Sequence, residues 1–182
     1  MDTFKEFKAA RLYDLSHEPR TLAPGEAATE HDYARGVIEL IEVARPRSVI
    51  EIGSYRGVST EIFLLTTPRV VAVDPWEYPD GIFQEFLSRC GAYPGLEVYR
   101  GKSPQALEVY GREFDLCYID GEHTFEACVA DIMAARKVVK EDGWIAGHDF
   151  HHPEIRKAVH IYVNPSPFAL FRDGSWLCKA TL

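Results

Sequence analysis

Two acids, two histidines and a glycine-bearing turn are the residues of this chain best suited by type and spacing to do chemistry. Asp120 precedes Gly121 and stands three residues before His123, while His148 and Asp149 are adjacent and open the run His-Asp-Phe-His-His. Two carboxylates and an imidazole brought together can bind a divalent cation through hard oxygen ligands or supply a general base. Each acid alone has a plainer use, as a cap on the segment that follows it. His123 is either a pocket residue or part of a helix's first turn. His151 and His152 fit an exposed loop.

The turn is Glu51-Ile52-Gly53-Ser54-Tyr55-Arg56-Gly57-Val58-Ser59. Glycines after a strand let backbone approach a ligand closely, and in open α/β sheets ligands sit beyond the carboxyl ends of the strands. The spacing is not the G-x-G-x-x-G of a dinucleotide fingerprint. Glu51 adds an anionic side chain, unhelpful to a pyrophosphate but favourable to a cationic sulfonium or ammonium. An ordinary tight turn is the plain alternative. Asp74 ends the next apolar run, 21 residues after Gly53, where nucleoside-binding folds put an acid that accepts hydrogen bonds from ribose hydroxyls. Since Pro75 follows, an Asp-Pro turn is the competing use. Trp76 can cover a nucleoside ring from the same loop or simply pack.

Stepping strands and helices must position these residues. Apolar runs predict strands at 48–53, 69–74, 96–100, 114–119 and 144–147. Between them, helices are expected at 59–66, 82–89, from Pro104, and from Thr124 to Lys140, the last with Val129, Ile132, Arg136 and Val139 on one face. A further helix covers 154–162, and one capped at Thr29 precedes the first strand and runs to Pro46. Strands apolar on both faces that alternate with helices belong to a parallel sheet covered on both sides. Phe168 to Arg172 and Ser175 to Ala180, joined by Asp173-Gly174, predict a closing hairpin whose last strand runs antiparallel. Residues 1–29 are expected to lie outside the core, as an extension or lid, and 30–182 to form one domain.

The bulk properties exclude more than they specify. A hydrophobic fraction of 46% and a charged fraction of 26% suit a folded soluble domain. The 20 Lys and Arg against 28 Asp and Glu give a net charge of -8, which opposes nucleic-acid binding without a local basic patch. The opening Met1 to Lys8 is too charged for a signal peptide, and no apolar run reaches membrane-spanning length. A cytoplasmic protein acting on a small molecule is expected, with a homo-oligomer left open. Cys90, Cys117, Cys128 and Cys178 contain no C-x-x-C pair and read as free thiols, Cys117 and Cys178 within core strands.

At "VIEIGSYRGVST", "VVAVDPW", "FDLCYIDGEHTFEACVADI" and "DGWIAGHDF", with the closing "SWLCKA", the sequence resembles the class I S-adenosylmethionine-dependent methyltransferases. It is most similar to the small-molecule O-methyltransferase group that includes macrocin O-methyltransferase and the cephalosporin-pathway methyltransferases. The resemblance runs from about residue 30 to the end. It implies a Rossmann-like, doubly wound seven-stranded sheet in the order 3-2-1-4-5-7-6. It also implies S-adenosyl-L-methionine as cofactor, with Glu51, Gly53, Ser54, Tyr55, Ser59, Asp74, Trp76, Ser103 and Asp120 around it: Gly53 under the methionine portion, Asp74 at the ribose, Ser103 towards the adenine. Several relatives bind magnesium through an acid after strand four and an acidic pair after strand five. Asp120 and Asp149 match two of these positions, but His148 stands where an acid is usual. A magnesium or manganese site at Asp120, His148 and Asp149 is therefore one expectation. Base catalysis by His148, with Asp120 and His123 beside it, is the other.

Two other functions compete. A nicotinamide-dependent oxidoreductase shares the ribose acid but not the glycine spacing, Glu51 or the antiparallel last strand. A non-catalytic cofactor-binding module would keep Gly53 and Asp74 yet gain nothing from Asp120 and His148-Asp149.

Overall fold

The computed structural model describes residues 30–78, 81–163 and 168–181. The expected N-terminal extension, residues 1–29, and the Thr29 cap lie outside them. Among the described residues, helices and strands alternate up to a closing strand pair: α1 (Glu30–Ala44), β1 (Ser48–Ile52), α2 (Val58–Thr66), β2 (Arg69–Asp74), α3 (Ile82–Cys90), β3 (Leu96–Arg100), α4 (Ser103–Val109), β4 (Phe114–Ile119), α5 (Phe125–Val138), β5 (Val139–Gly147), α6 (Pro153–Tyr162), β6 (Phe168–Leu170) and β7 (Trp176–Lys179). The strands form one sheet in the order β3-β2-β1-β4-β5-β7-β6. β1 to β5 pair in parallel, whereas β7 runs antiparallel to β5 and β6. This is the α/β, doubly wound sheet expected from the sequence.

Side-chain alternation divides the core between the two faces of the sheet. Ile50, Ile52, Val71, Val73, Cys117 and Ile119 pack with Ala106, Ile132, Ala135 and Val159 of α4, α5 and α6. Val49, Val70, Leu116 and Tyr118 pack on the other face with Val37, Ile38, Leu40, Ile62 and Phe63 of α1 and α2. Each such side chain, fully buried, contributes roughly 1.5–3 kcal/mol relative to exposure. All four cysteines are buried and free.

The boundaries differ from expectation chiefly at the junction of α5 and β5, where the strand begins at Val139 and not at Trp144, and at the closing hairpin. α5 starts after Thr124, whose hydroxyl accepts from Ala127 N, but stops at Val138, because Val139 pairs with Phe114 and draws the chain into β5. The buried stripe of α5 is Cys128, Asp131, Ile132, Ala135 and Val138, one step round from the expected face. Arg136 is partly buried and donates to the Tyr162 carbonyl. The closing hairpin turns through Phe171 to Ser175, with Gly174 at φ 93°.

The parallel strands bring their carboxyl ends to one edge. Gly53, at φ 86°, sits so close to the loop after β4 that a Cβ would lie 2.0 Å from the Asp120 carbonyl oxygen. Only glycine accommodates both that backbone conformation and that approach.

Candidate active site

Beyond the ends of β1, β2 and β4 opens a cleft of about 490 Å³. Ile52, Gly53, Val73 and Asp74 form one side of its lining, Ser103 and Pro104 another, and Gly121, Glu122 and Asp131 the third. Asp74 ends β2 with its carboxylate fixed by the loops on either side: Oδ2 accepts from Tyr55 N at 3.0 Å and Oδ1 from Trp76 N at 2.7 Å. A carboxylate has about four acceptor sites, so two remain for a ligand. Burial raises its pKa despite the two amides. Ser103 opens α4 and donates to Asp131. Burial lifts the Asp131 carboxyl to about 6 against that hydrogen bond.

Other expected cofactor residues do not line the cleft. Glu51 shares a sheet face with Val49, not with Ile52, so its side chain lies beneath α2 and is wholly buried. Ser59, Thr60 and Ser54 donate their hydroxyls to it. Burial lifts its pKa to about 7 in spite of them. The two serines thus brace Glu51, and the turn reaches the cleft through Gly53. Trp76 is buried as well, against Phe83 and Phe86, with its indole N–H donated to the Tyr55 carbonyl. It packs where a ring cover was one expectation. Tyr78, two residues on, lines the cleft and meets Tyr55 edge-on at 5.1 Å.

Next to the cleft, the ends of β4 and β5 assemble the acids and imidazoles. Asp120 N bonds to Ile52 O and His148 N to Ile119 O, which continue the ladder one step past the strands and fix both residues at the sheet edge. His123 Nε2 lies 2.8 Å from Asp149 Oδ2 and 3.9 Å from Asp120 Oδ1. His148, only 8% exposed, has Nδ1 3.3 Å from Asp149 Oδ2 and 3.9 Å from Asp120 Oδ1, while its Nε2 is 3.6 Å from Asp173 Oδ2. Tyr33 of α1 donates to Asp120 Oδ2 at 2.6 Å, and its ring stands edge-on to His148 at 4.6 Å.

The charges in this cluster hold one another. Asp120 and then Asp149 raise His123 to about 10. Burial opposes charge on His148, but Asp149, Asp120 and Asp173 outweigh it and raise the imidazole to about 9. For Asp149, burial opposes ionisation, yet His123 and His148 hold it well below the usual carboxylate range. Asp120, His123 and Asp149 each offer one ligand atom, all within 4.8 Å of one another. His123 joins the two acids in this grouping, while His148, the expected third ligand, turns Nδ1 towards the same two acids and Nε2 towards Asp173. His151 is half-exposed and approaches Asp149 at 3.4 Å.

Three participants escape the sequence reading. Asp131 interrupts the buried stripe of α5, and a charged residue in such a stripe is the signal that could have found it. Tyr33 reads only as an apolar position of α1. Asp173 reads only as a turn residue.

A nucleoside-sized cleft at the carboxyl edge, an acid ending β2 and an antiparallel β7 inserted beside β5 define the Rossmann-like class I methyltransferase fold. The chain belongs to the family described as Methyltransferase domain, whose model matches residues 50–150, more than half of its length. An O-methyltransferase of Aspergillus hancockii, hkm8, is 35% identical over 89 residues. That match covers 46% of this chain and 35% of the relative, so the chain spans about a third of that protein's length. Among solved structures, the O-methyltransferase from Bacillus cereus in complex with SAH superposes with a TM-score of 0.61 at 18% identity, covering 98% of this chain and 89% of that one. TomG of Streptomyces achromogenes, an O-methyltransferase involved in tomaymycin synthesis and bound to SAM, gives 0.64 at 15% identity, covering 99% and 89%. These likenesses are of fold.

Proposed function

We propose that this chain transfers a methyl group from S-adenosyl-L-methionine to an oxygen of a small hydroxylated metabolite or sugar. The observation that carries the reading is the cleft with Asp74 in its wall. Its volume falls within the roughly 300–1,000 Å³ of small-molecule sites. Its lining includes Asp74, Glu77, Glu122 and Asp131 against Lys102, a balance that suits a cation carrying a ribose. The fold's pairing with SAH and SAM in the Bacillus and Streptomyces proteins supports the same choice.

When bound, the cofactor supplies an electrophilic methyl group. The chain's share is to hold the ribose on Asp74, exclude water and align an acceptor oxygen beside Gly121, a matter of proximity and orientation. The acceptor's proton has to leave towards Asp120 or Asp149, or towards His123 once that imidazole has parted from Asp149 and given up its own proton. His148 is held on both edges by carboxylates and stays in place. His123 is half-exposed and can turn away from Asp149 towards an acceptor. Asp120, His123 and Asp149 would hold a manganese or magnesium ion, whose chemistry would be to lower the pKa of a bound hydroxyl. An imidazole beside two carboxylates suits manganese better than magnesium. The expectation of a cytoplasmic enzyme, with neither nucleic acid nor membrane as partner, belongs to this reading. Among the described residues, no helix is long and apolar enough to cross a membrane.

The test is a panel of hydroxylated acceptors incubated with labelled S-adenosylmethionine, with and without chelator and added manganese. Label in an ether product is expected. Calorimetric binding of NAD without binding of S-adenosyl-L-homocysteine would overturn the reading.

A further inference from the structure

The β6–β7 hairpin carries a carboxylate that the proposed reaction does not use. Asp173 is fully buried although it lies in a turn, and connecting segments ordinarily run over the surface. Its Oδ1 accepts from Ser175 N at 2.9 Å and its Oδ2 from Ser175 Oγ at 2.7 Å, the local bonds by which an Asp closes a turn. Such bonds form equally well in water, so they do not account for the burial.

Burial brings the carboxylate against two other elements. On one side is α1 at Gly36, where a Cβ would lie 1.9 Å from Asp173 Cγ; glycine at this position is what admits the side chain. On the other is His148, whose Nε2 lies 3.6 Å from Asp173 Oδ2. A buried carboxylate is costly unless a cation or donor faces it, and the His148 imidazole is the group on that side of it. From the imidazole's side the fit is equally specific. Nε2 is buried without a hydrogen-bond partner, and the carboxylate it faces is Asp173. The opposite edge faces Asp120 and Asp149, and the Tyr33 ring closes the flank.

We propose that Asp173 is a positioning residue: it holds the Nε2 edge of His148 from beneath, so that Nδ1 is the edge presented to Asp120, Asp149 and whatever binds between them. At 3.6 Å the pair is a charge contact, and an approach of about 0.7–0.9 Å makes it a charge-assisted hydrogen bond. A carboxylate behind an imidazole fixes ring orientation and makes the far nitrogen more basic. The inference rests on the proposed function only in assigning that neighbourhood to the acceptor.

The experiment is long-range nitrogen–proton NMR of the full chain with 15N-labelled histidine, the His148 signals being assigned by their loss in His148→Gln. His148 Nε2 should carry a proton that exchanges slowly with water. Asp173→Asn keeps the size of the side chain and an acceptor for Ser175 N, removes the charge and the second acceptor facing His148 and Ser175 Oγ, and should shift this nitrogen more than that of any other histidine. Gly36→Ala pushes on Asp173 from α1 without changing a charge and should move the same resonance. A rapidly exchanging or unprotonated Nε2 in the wild-type protein would overturn the proposal, as would a His148 spectrum unchanged in Asp173→Asn. In turnover, Asp173→Asn should lower kcat about tenfold and leave affinity for S-adenosyl-L-homocysteine within about twofold; a wild-type kcat would count against the proposal. Failure of the wild-type chain to bind S-adenosyl-L-homocysteine sinks the proposed function and leaves the NMR result standing.

Discussion

The cofactor cleft and the acid–imidazole cluster lie side by side at one edge of the sheet, yet they are built in opposite ways. The cleft keeps about 490 Å³ open, and its key acid, Asp74, is oriented by amides of its own loop and of the glycine turn. Around Asp120, His123 and His148, by contrast, the space narrows to about 10 Å³. There each carboxylate is matched by an imidazole or, for Asp120, also by a tyrosine 87 positions away. The cleft can therefore take a ligand without rearrangement. A ligand of the cluster has to displace an existing partner, and the His123–Asp149 pair is the accessible one.

The largest effect should come from the cluster. Asp149→Ala is expected to lower methyl transfer by about 100-fold or more, the usual range for lost acid–base assistance, with affinity for S-adenosyl-L-homocysteine changed less than about threefold. Turnover and calorimetry on one preparation check both halves. Wild-type turnover would remove the cluster from catalysis. Gly53→Ala addresses the seam between the two regions: a Cβ at positive φ and 2.0 Å from the Asp120 carbonyl should cost on the order of 3 kcal/mol in urea unfolding. A loss below about 1 kcal/mol would mean that the two loops are not held this closely.

A third prediction concerns Glu51, whose pKa is raised from 4.5 to about 7 by burial. Its folded-state pKa lies above the unfolded one, so its protonation stabilises the fold fully below about pH 4.5. That contribution is lost as pH rises through about 7. Relative to wild type, Glu51→Gln should gain about 3 kcal/mol of stability between pH 4.5 and 8.5, read from urea unfolding at both values. A difference independent of pH would show that Glu51 ionises in the ordinary carboxylate range.

The same contrast explains what could be read from the sequence. Strands, the βα alternation and acids at or just past a strand's end are local patterns, so Asp74, Asp120 and Asp149 could be read from them, whereas the sheet order came from the family resemblance. The face of a buried parallel strand is not a local pattern, since apolar residues occupy both sides. Glu51 was therefore expected at the ligand, although its alternation with Ile50 and Ile52 places it beneath α2. Tyr33 and Asp173 depend on contacts between distant parts of the chain, which spacing does not encode. Trp76 had two uses open to it, and the neighbouring Phe83 and Phe86 decided for packing.

The most direct test of the central claim is calorimetric titration of S-adenosyl-L-homocysteine into the wild-type chain and Asp74→Ala. The wild type should bind one equivalent, and Asp74→Ala should bind about 10- to 100-fold more weakly, as expected for lost hydrogen bonds to a charged group worth about 1.5–3 kcal/mol. Equal affinity in the two proteins, or no binding by the wild type, would contradict a cofactor site built on the end of β2.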